Sequence, residues 1–433
     1  MTKSSKGKFF AALVIFSLTG QVAWVVENMY FNVFIYEMFS ASAEAISLMV
    51  AASAIAATLT TIIIGALSDK IGKRKLFICG GYILWGLSIG AFSLIRLDIL
   101  QPLVPAGISA ASVGISLVII LDCVMTFFGS SANDAAFNAW LTDSTDSSNR
   151  GAAEGINAMM PLVAILVVFG GFMAFDLSRS DSWTIIFLVI GAAVLVIGVL
   201  GIFLIHDETE KSEENQNYFK NIIYGFRPSV IKENKTLYVT FAAFSIFGIS
   251  IQVFMPYLIL YYSVSLKMDN YVLIMAPAII VASVVTALYG RLYDKIGFNR
   301  SALPSIAILM LGYVILFFFK NTALVFVGSL LMMSGYLAGM AVFGAFIRDN
   351  TPQNKAGMFQ GLRIVSQVLI PGIIGPYIGA FVLRNAEKVE NSDGTFSFIP
   401  NQNIFLAAFI VAILVCITLF AISKIKNKEN EDV

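Results

Sequence analysis

Long apolar blocks dominate this chain, and its polar residues are confined to short stretches between them. A bilayer core of about 30 Å is crossed by roughly 20 helical residues, each rising ~1.5 Å. Blocks of that length recur at 9–37, 44–67, 76–96, 109–140, 151–175 and 183–205, and again at 236–263, 270–292, 301–319, 322–347, 357–383 and 402–423. The pattern predicts an all-α integral membrane protein with 12 transmembrane helices. The first run, Phe9 to Phe39, outlasts a signal-peptide core and carries no small-residue cleavage site, so it is read as a membrane helix that is kept.

Composition sharpens this picture. Hydrophobic residues make up 58% of the 433 and charged ones 13%, against roughly 25% charged in soluble domains. Folded in water, such a chain would leave a large apolar surface exposed. A net charge of +1, with no basic patch interleaved with aromatics, argues against nucleic-acid binding. Cys79, Cys123 and Cys416 lie far apart inside apolar runs, and His206 is the sole histidine. They make no metal-ligand spacing and no nucleophile–base pair, so no metal, cofactor or catalytic residue is expected.

Basic residues set the orientation. With the N-terminus placed in the cytoplasm, Lys3, Lys6, Lys8, Lys70, Lys73, Arg74, Lys75, Arg150, Arg291, Lys295, Arg300, Arg348, Lys355, Lys424, Lys426 and Lys428 all fall inside, together with those of the central loop. The opposite loops hold only Arg96, Arg179, Lys267, Lys320, Arg384 and Lys388. The positive-inside rule then puts both termini in the cytoplasm of a multi-pass protein of the cell membrane. The one long polar stretch, 206–235, reads as a cytoplasmic loop between two bundles at 1–205 and 236–433. Within it Tyr218, Phe219, Ile222, Ile223 and Phe226 recur at helical spacing, either as a short amphipathic surface helix or as a plain linker.

The two halves repeat each other. Gly65-Ala-Leu-Ser-Asp69-Lys70-Ile-Gly72-Lys-Arg74-Lys75 is echoed by Gly290-Arg-Leu-Tyr-Asp294-Lys295-Ile-Gly297-Phe-Asn-Arg300, identical at six of eleven positions. Phe137-Asn-Ala-Trp-Leu-Thr-Asp143-Ser-Thr145 with Gly151 and Gly155 is echoed by Phe343-Gly-Ala-Phe-Ile-Arg-Asp349-Asn-Thr351 with Gly357 and Gly361. Parallel six-helix repeats of this kind mark one large transporter class.

Residues 65–75 satisfy every position of the loop G-x-L-x-D-[KR]-x-G-[RK]-[RK]-[RK], and on this the chain resembles the major facilitator superfamily over essentially its whole length. The second copy keeps the glycines and the acid but has Phe298 and Asn299 where the motif is basic. The resemblance implies two pseudo-symmetric six-helix bundles working by alternating access. It implies a gating role for Gly65, Asp69, Lys70, Gly72, Arg74, Gly290, Asp294, Lys295 and Gly297. Asp69 would face the start of helix eleven near Ala356, where a carboxylate meets the positive end of a helix dipole. Arg74 would pair with Asp134 or Asp143, and Asp294 would lie near Arg150. Such contacts would latch the cytoplasmic side.

The resemblance also implies a central cavity lined by helices one, four, seven and ten, and polar residues inside a membrane need a reason. The first helix offers Gln21, Trp24, Glu27, Asn28 and Asn32, which at 100° per residue share one broad face. The fourth offers Asp122, Thr126 and Asn133. Helix seven adds Gln252 and Tyr257, with Pro256 expected to kink it, and helix ten adds Tyr336. Glu27 and Asp122 are the candidates to carry a coupling cation, H+ or Na+. Arg363 is read as a gate, paired with Glu154 across the halves, or alternatively as an anchor for an anionic solute.

The expected function is secondary active transport of a small solute by a protein working as a monomer in the lipid bilayer. A sugar or related metabolite is favoured, because the Gln21–Asn32 run and Asp349-x-Thr351 look like the sugar/cation symporter branch. A proton-coupled exporter of drugs or metabolites is the main rival. A membrane-embedded enzyme would need acid clusters that the sequence lacks, and a non-transporting sensor is the remaining alternative. The loop 384–400 has no assigned role beyond a turn at Asp393-Gly394.

Overall fold

The computed structural model describes residues 3–145, 149–205, 225–268, 270–351, 356–391 and 394–431. Among these, twelve helices are long and apolar enough to cross a membrane. They are α1 (Gly7–Phe39), α2 (Ala43–Gly65), α3 (Arg74–Leu94), α4 (Ala110–Asp143), α5 (Gly155–Phe172), α6 (Ser180–Leu204), α7 (Lys235–Ser265), α8 (Tyr271–Ile296), α9 (Phe298–Phe318), α10 (Thr322–Asn350), α11 (Gly361–Leu383) and α12 (Asn403–Lys424). Large apolar side chains stay uncovered along them, Phe203, Phe381 and Phe420 among them. A lipid solvent accounts for that surface, and the chain is a multi-pass integral membrane protein.

The chain separates into two compact units, Met1–Asn215 and Gln216–Val433. In the first, α3 packs along α6 at backbone distance. A methyl group on Gly86 would sit 2.5 Å from the Gly191 carbonyl oxygen, so only glycine admits the contact. In the second, Gly312 of α9 lies against the backbone of Met332 and Gly328 on α10 in the same way. Where hydrocarbon tails are as apolar as leucine, this close approach supplies the dispersion that holds helices together.

Helix ends follow local chemistry. Ser42 accepts the Ala45 N–H at 3.2 Å ahead of α2, and Asn321 accepts the Leu324 N–H at 2.9 Å ahead of α10. The helix containing α2 continues to Ile71 and stops at Gly72, whose φ of +66° is the left-handed C-cap geometry. At the start of α6, Arg96 binds Asp98 at 3.0 Å, Asp181 at 3.3 Å and the Thr184 hydroxyl at 3.0 Å. The hydrogen bond from Arg96 holds the exposed Asp98 carboxyl below its ordinary range.

Four of the spans contain a π segment. Wide π turns occupy Val26–Tyr30 in α1, Ser130–Phe137 in α4, Tyr261–Ser265 in α7 and Val365–Leu369 in α11. In α7 the α-helical ladder already gives way at Met255–Tyr257, a 3-10 turn around Pro256, the residue at which a kink was expected. Such bulges frequently sit at functional sites.

The loop after α11 forms a two-stranded hairpin, β1 (Lys388–Glu390) with β2 (Phe396–Phe398), in the register Lys388–Phe398. Gly394 turns it with φ +79°, and the Asn391 amide ties to Thr395 and Ser397 at 2.9 Å. Asp393 lies outside the described residues, as does most of the expected amphipathic segment 218–226.

Candidate functional site

The polar run of α1 does not present one face. The π turn at Val26–Tyr30 breaks the 100° phase that the sequence reading assumed. Glu27 and Asn32 become buried, whereas Asn28 is exposed. Asn28 donates to the Trp24 carbonyl at 2.8 Å and Asn32 to the Asn28 carbonyl at 3.2 Å, so both amide groups bond the backbone of their own helix. Gln21 is half-buried.

Glu27 sits at the meeting of three helices. Ser53 of α2 donates to its Oε1 at 2.6 Å, and Thr126 of α4 donates to the same oxygen at 2.9 Å. The two hydroxyls are 2.9 Å from each other. Oε2 is buried with no hydrogen-bond partner. Asp122, one turn before Thr126 and 1% exposed, lies within electrostatic reach of Glu27, and its Oδ1 is likewise buried without a partner. Two buried carboxyls, each with an open oxygen, are an arrangement that takes up a small cation or shares a proton.

A second cluster follows along α4. Asp134, half-buried, accepts from Ser130 at 3.0 Å and from the Asn133 amide at 3.4 Å. The Trp24 indole N–H lies beside this carboxyl but lacks a hydrogen bond of normal geometry. Asn133 is 4% exposed, and its carbonyl oxygen accepts from Tyr82 of α3 at 3.0 Å, while the same phenol also reaches the Phe16 carbonyl at 2.8 Å. Asn133 therefore ties α1, α3 and α4 together rather than facing an open space. Two glycines make room for the cluster. Gly20 clears Asn133 and Tyr82, and Gly129 clears the packed rings of Trp24 and Trp85, whose centroids are 5.0 Å apart.

Of the two acids offered to Arg74, the structure takes Asp143. Nε donates to Asp143 Oδ2 at 2.9 Å, and Nη1 donates to Ser68 Oγ at 2.9 Å. Asp134 is held in its own cluster nine residues earlier along α4. The second unit solves the equivalent position differently. Asn299 stands where the repeat has Arg74 and instead contacts Ser423 at 3.4 Å. Tyr293, which replaces Ser68, reaches Asp349, the counterpart of Asp143, with its own hydroxyl. Gly65 and Gly290 are half-buried, Lys70, Asp294, Lys295 and Gly297 are exposed, and Gly72 and Gly297 both have positive φ. The Asp69 side chain and those of Arg150 and Glu154 lie outside the described residues, so the expected contacts of Asp69 with Ala356, Asp294 with Arg150 and Arg363 with Glu154 do too.

In the second unit, Tyr257 is fully buried and its hydroxyl donates to the Pro376 carbonyl at 3.2 Å, which binds α7 to α11 rather than presenting the phenol to a solute. Tyr262 shares a 2.7 Å hydrogen bond with Ser329. Gln252 and Tyr336 stay half-buried, and the Tyr336 ring stacks on Phe247 at 6.5 Å. Arg363 is half-buried, lies within electrostatic reach of Arg348, and makes no ion pair among the described residues. Those residues contain no cluster of three His, Cys, Asp or Glu that would hold a metal ion.

Sequence reasoning missed Ser53, Tyr82, Ser130 and the separate role of Asp134. Ser53 and Tyr82 sit in apolar helices without a pattern to mark them. Ser130 and Asp134 did carry a signal, since they continue the spacing of four that begins with Asp122 and Thr126.

Comparison with known proteins agrees with this architecture. No curated protein sequence matches the chain. Solved structures do. A nucleoside transporter, NupG (D323A mutant), superposes with a TM-score of 0.73 at 11% identity, covering 95% of this chain and 99% of its own. A bacterial homolog of the human lysosomal transporter Spinster, in an inward-facing occupied conformation, gives 0.71 at 14%, covering 98% of each chain. The xylose transporter XylE from E. coli gives 0.66 at 15%, covering 95% and 98%. At these identities the likeness is one of fold. The family model of the Major Facilitator Superfamily matches residues 9–376. The chain belongs to the Major Facilitator Superfamily and is a transporter rather than an enzyme.

Proposed function

We propose that this transporter is a secondary active carrier for a small hydroxyl-bearing solute, a sugar or related metabolite, driven by a monovalent cation that Glu27 and Asp122 bind and release. The observation that carries the reading is the carboxyl pair itself. Glu27 is fixed through one oxygen by Ser53 and Thr126, and its other oxygen is open, as is one oxygen of Asp122. Buried acids with open oxygens are costly in a membrane and mark ion pathways. Each coupled charge gains about 2.3 kcal/mol per 100 mV of membrane potential. Nucleoside and xylose transporters share the fold, which supports a polyhydroxylated solute. The crowd of basic residues near one set of helix ends supports placing both termini in the cytoplasm, and the reading takes the chain to act as a monomer in the cell membrane.

The test is uptake of radiolabelled xylose, other sugars and uridine into proteoliposomes, under an imposed proton or sodium gradient. Gradient-driven accumulation that Glu27→Gln or Asp122→Asn abolishes, with solute exchange preserved, supports the reading. Flux of none of these solutes under either gradient overturns the solute class and moves the assignment to an exporter of drugs or other metabolites. Unchanged accumulation in both variants overturns the role of the pair.

A further inference from the structure

Asp122, Thr126, Ser130 and Asp134 follow one another at intervals of four along α4. Twelve residues at ~1.5 Å each carry this stripe over about 18 Å, a large part of a bilayer core. In a regular helix, residues four apart drift steadily around the axis. The π turn that starts at Ser130 rotates less per residue and takes back part of that drift.

Each hydroxyl of the stripe already serves a carboxyl. Ser130 donates to Asp134 at 3.0 Å, and Thr126 donates to Glu27, which reaches the stripe from α1, at 2.9 Å. Glu27 is within electrostatic reach of Asp122 on one side and Asp134 on the other. The three acids differ in access. Glu27 is 7% and Asp122 1% exposed, while Asp134 is only half-buried and meets the surface of its unit. Open oxygens remain at the buried end alone, on Glu27 and Asp122.

The charged and titratable groups facing the stripe are few. Helix α1 contributes Glu27, α3 contributes Tyr82, and α2 contributes the neutral hydroxyl of Ser53. Glu37, farther along α1, is within reach of Asp176 instead. Arg74, the nearest guanidinium on α3, is held by Asp143 and Ser68. The hydroxyls of the stripe thus form two separate hydrogen-bonded pairs, Ser130 with Asp134 and Thr126 with Glu27, and no basic side chain among the described residues is bound to any of the three acids. A metal ion needs lone pairs converging on one point, and Asp122 and Asp134, about 18 Å apart along α4, cannot both reach one ion. A hydroxyl, by contrast, both donates and accepts, and so passes a proton on.

We propose that this stripe is a proton path inside the first unit, with Asp134 as its port, Ser130 and Thr126 as relays, and the Glu27–Asp122 pair as its terminus. It rests on the coupling role proposed for that pair and names the cation as H+. Protonated Asp134 donates to Ser130 Oγ. The Ser130 hydrogen passes to a water molecule spanning the turn to Thr126, that water passes a hydrogen to Thr126 Oγ1, and the Thr126 hydrogen passes to Glu27 Oε1. Asp134 loses one proton, Glu27 gains one, and each relay ends as it began.

The test follows the proton, with no solute present. The protein is reconstituted in phosphatidylethanolamine–phosphatidylglycerol vesicles, protons are released by a light flash, and the carboxyl stretching band is recorded over time by infrared absorption. Glu27→Gln assigns the terminal component of the band. Ser130→Ala is expected to slow the appearance of that component by about tenfold or more, the rate equivalent of one relay hydrogen bond, with its final amplitude kept. Asp134→Asn keeps shape and polarity and is expected to slow it likewise, and Ser130→Thr, which retains a hydroxyl, is expected to stay near the unmodified rate. Unchanged kinetics in both Ser130→Ala and Asp134→Asn overturn the path while leaving the coupling pair standing. A band that Glu27→Gln does not alter overturns the coupling reading and the path with it.

Discussion

Gly20→Ala puts one methyl group where three helices meet. A Cβ there would lie 2.5 Å from Asn133 Oδ1, 2.7 Å from the Tyr82 hydroxyl and 2.9 Å from Asn133 Cγ, against 3.4 Å for the start of ordinary contact. The Asn133 amide must therefore withdraw by about 0.9 Å, the difference between those limits. That movement breaks its 3.0 Å hydrogen bond from Tyr82, which retains the Phe16 carbonyl. Overpacking of a filled interior costs about 1–3 kcal/mol. A hydrogen bond between membrane helices contributes ~0.6 kcal/mol, and alanine recovers nearly 1 kcal/mol of helix propensity over glycine. The balance is a loss near ~1.5 kcal/mol, or roughly 3–6 °C of Tm for a unit of this size. Thermal unfolding of the purified protein at a fixed scan rate measures it. The companion is the cycle with Asn133→Ala, which removes the obstructing amide. The double variant is expected to be at least ~1 kcal/mol more stable than the sum of the singles predicts. A neutral Gly20→Ala, or strict additivity in the cycle, would refute the close approach of α1 to Asn133.

Other perturbations test separate parts of the structure. Arg74→Lys cannot serve Asp143 and Ser68 together; because Asp143 is 37% exposed, the expected loss is ~1 kcal/mol rather than the 3–5 of a fully buried pair, read as the coupling energy with Asp143→Asn. Tyr293→Ser should destabilise by ~1 kcal/mol, and adding Asn299→Arg should recover part of it by rebuilding the first unit's arrangement; failure to recover anything rejects the equivalence. Gly129→Ala would bring a methyl group 2.7 Å from Trp85 and 2.9 Å from Trp24, so a shift in tryptophan emission is expected, and an unchanged spectrum counts against that packing. Asp98 is held below its ordinary value of 3.8 by Arg96, so its contribution is complete above that pH and vanishes as pH falls through the lowered value; Arg96→Ala should abolish this acid-side dependence, and an identical acid profile in the variant denies the pairing.

The spans were legible because a bilayer imposes one length on every crossing helix, and hydropathy along the chain records it directly. The repeat was legible for a similar reason, since a tight turn between helices needs glycine and charge at fixed positions, as at Gly65–Lys75 and Gly290–Arg300. The interior of the site was less so. Hydropathy does not show where the hydrogen-bond ladder of a helix slips from four to five residues, and the π turn at Val26–Tyr30 decides that Glu27 is buried and Asn28 is not. The partner of Arg74 was also undecided in sequence, because Asp134 and Asp143 are both acids on α4 and only the packing of α3 against it selects Asp143. Tyr257 looked like a solute contact because a phenol in a membrane helix needs a partner, and the Pro376 carbonyl that meets that need lies 119 residues away.

The junctions Arg74–Asp143 and Tyr293–Asp349 have a consequence in solutions of different ionic strength. The first joins two full charges at a partly exposed site, where counter-ions gather and the Debye length shrinks to about 8 Å in physiological salt. The second sets a neutral dipole against a carboxylate, which dissolved ions weaken far less. Related stretches of sequence have thus given the two units unequal sensitivities to the electrolyte. Raising the salt loosens the junction of the first unit more than that of the second, so a plain salt titration becomes a way to address one unit ahead of the other in the intact protein.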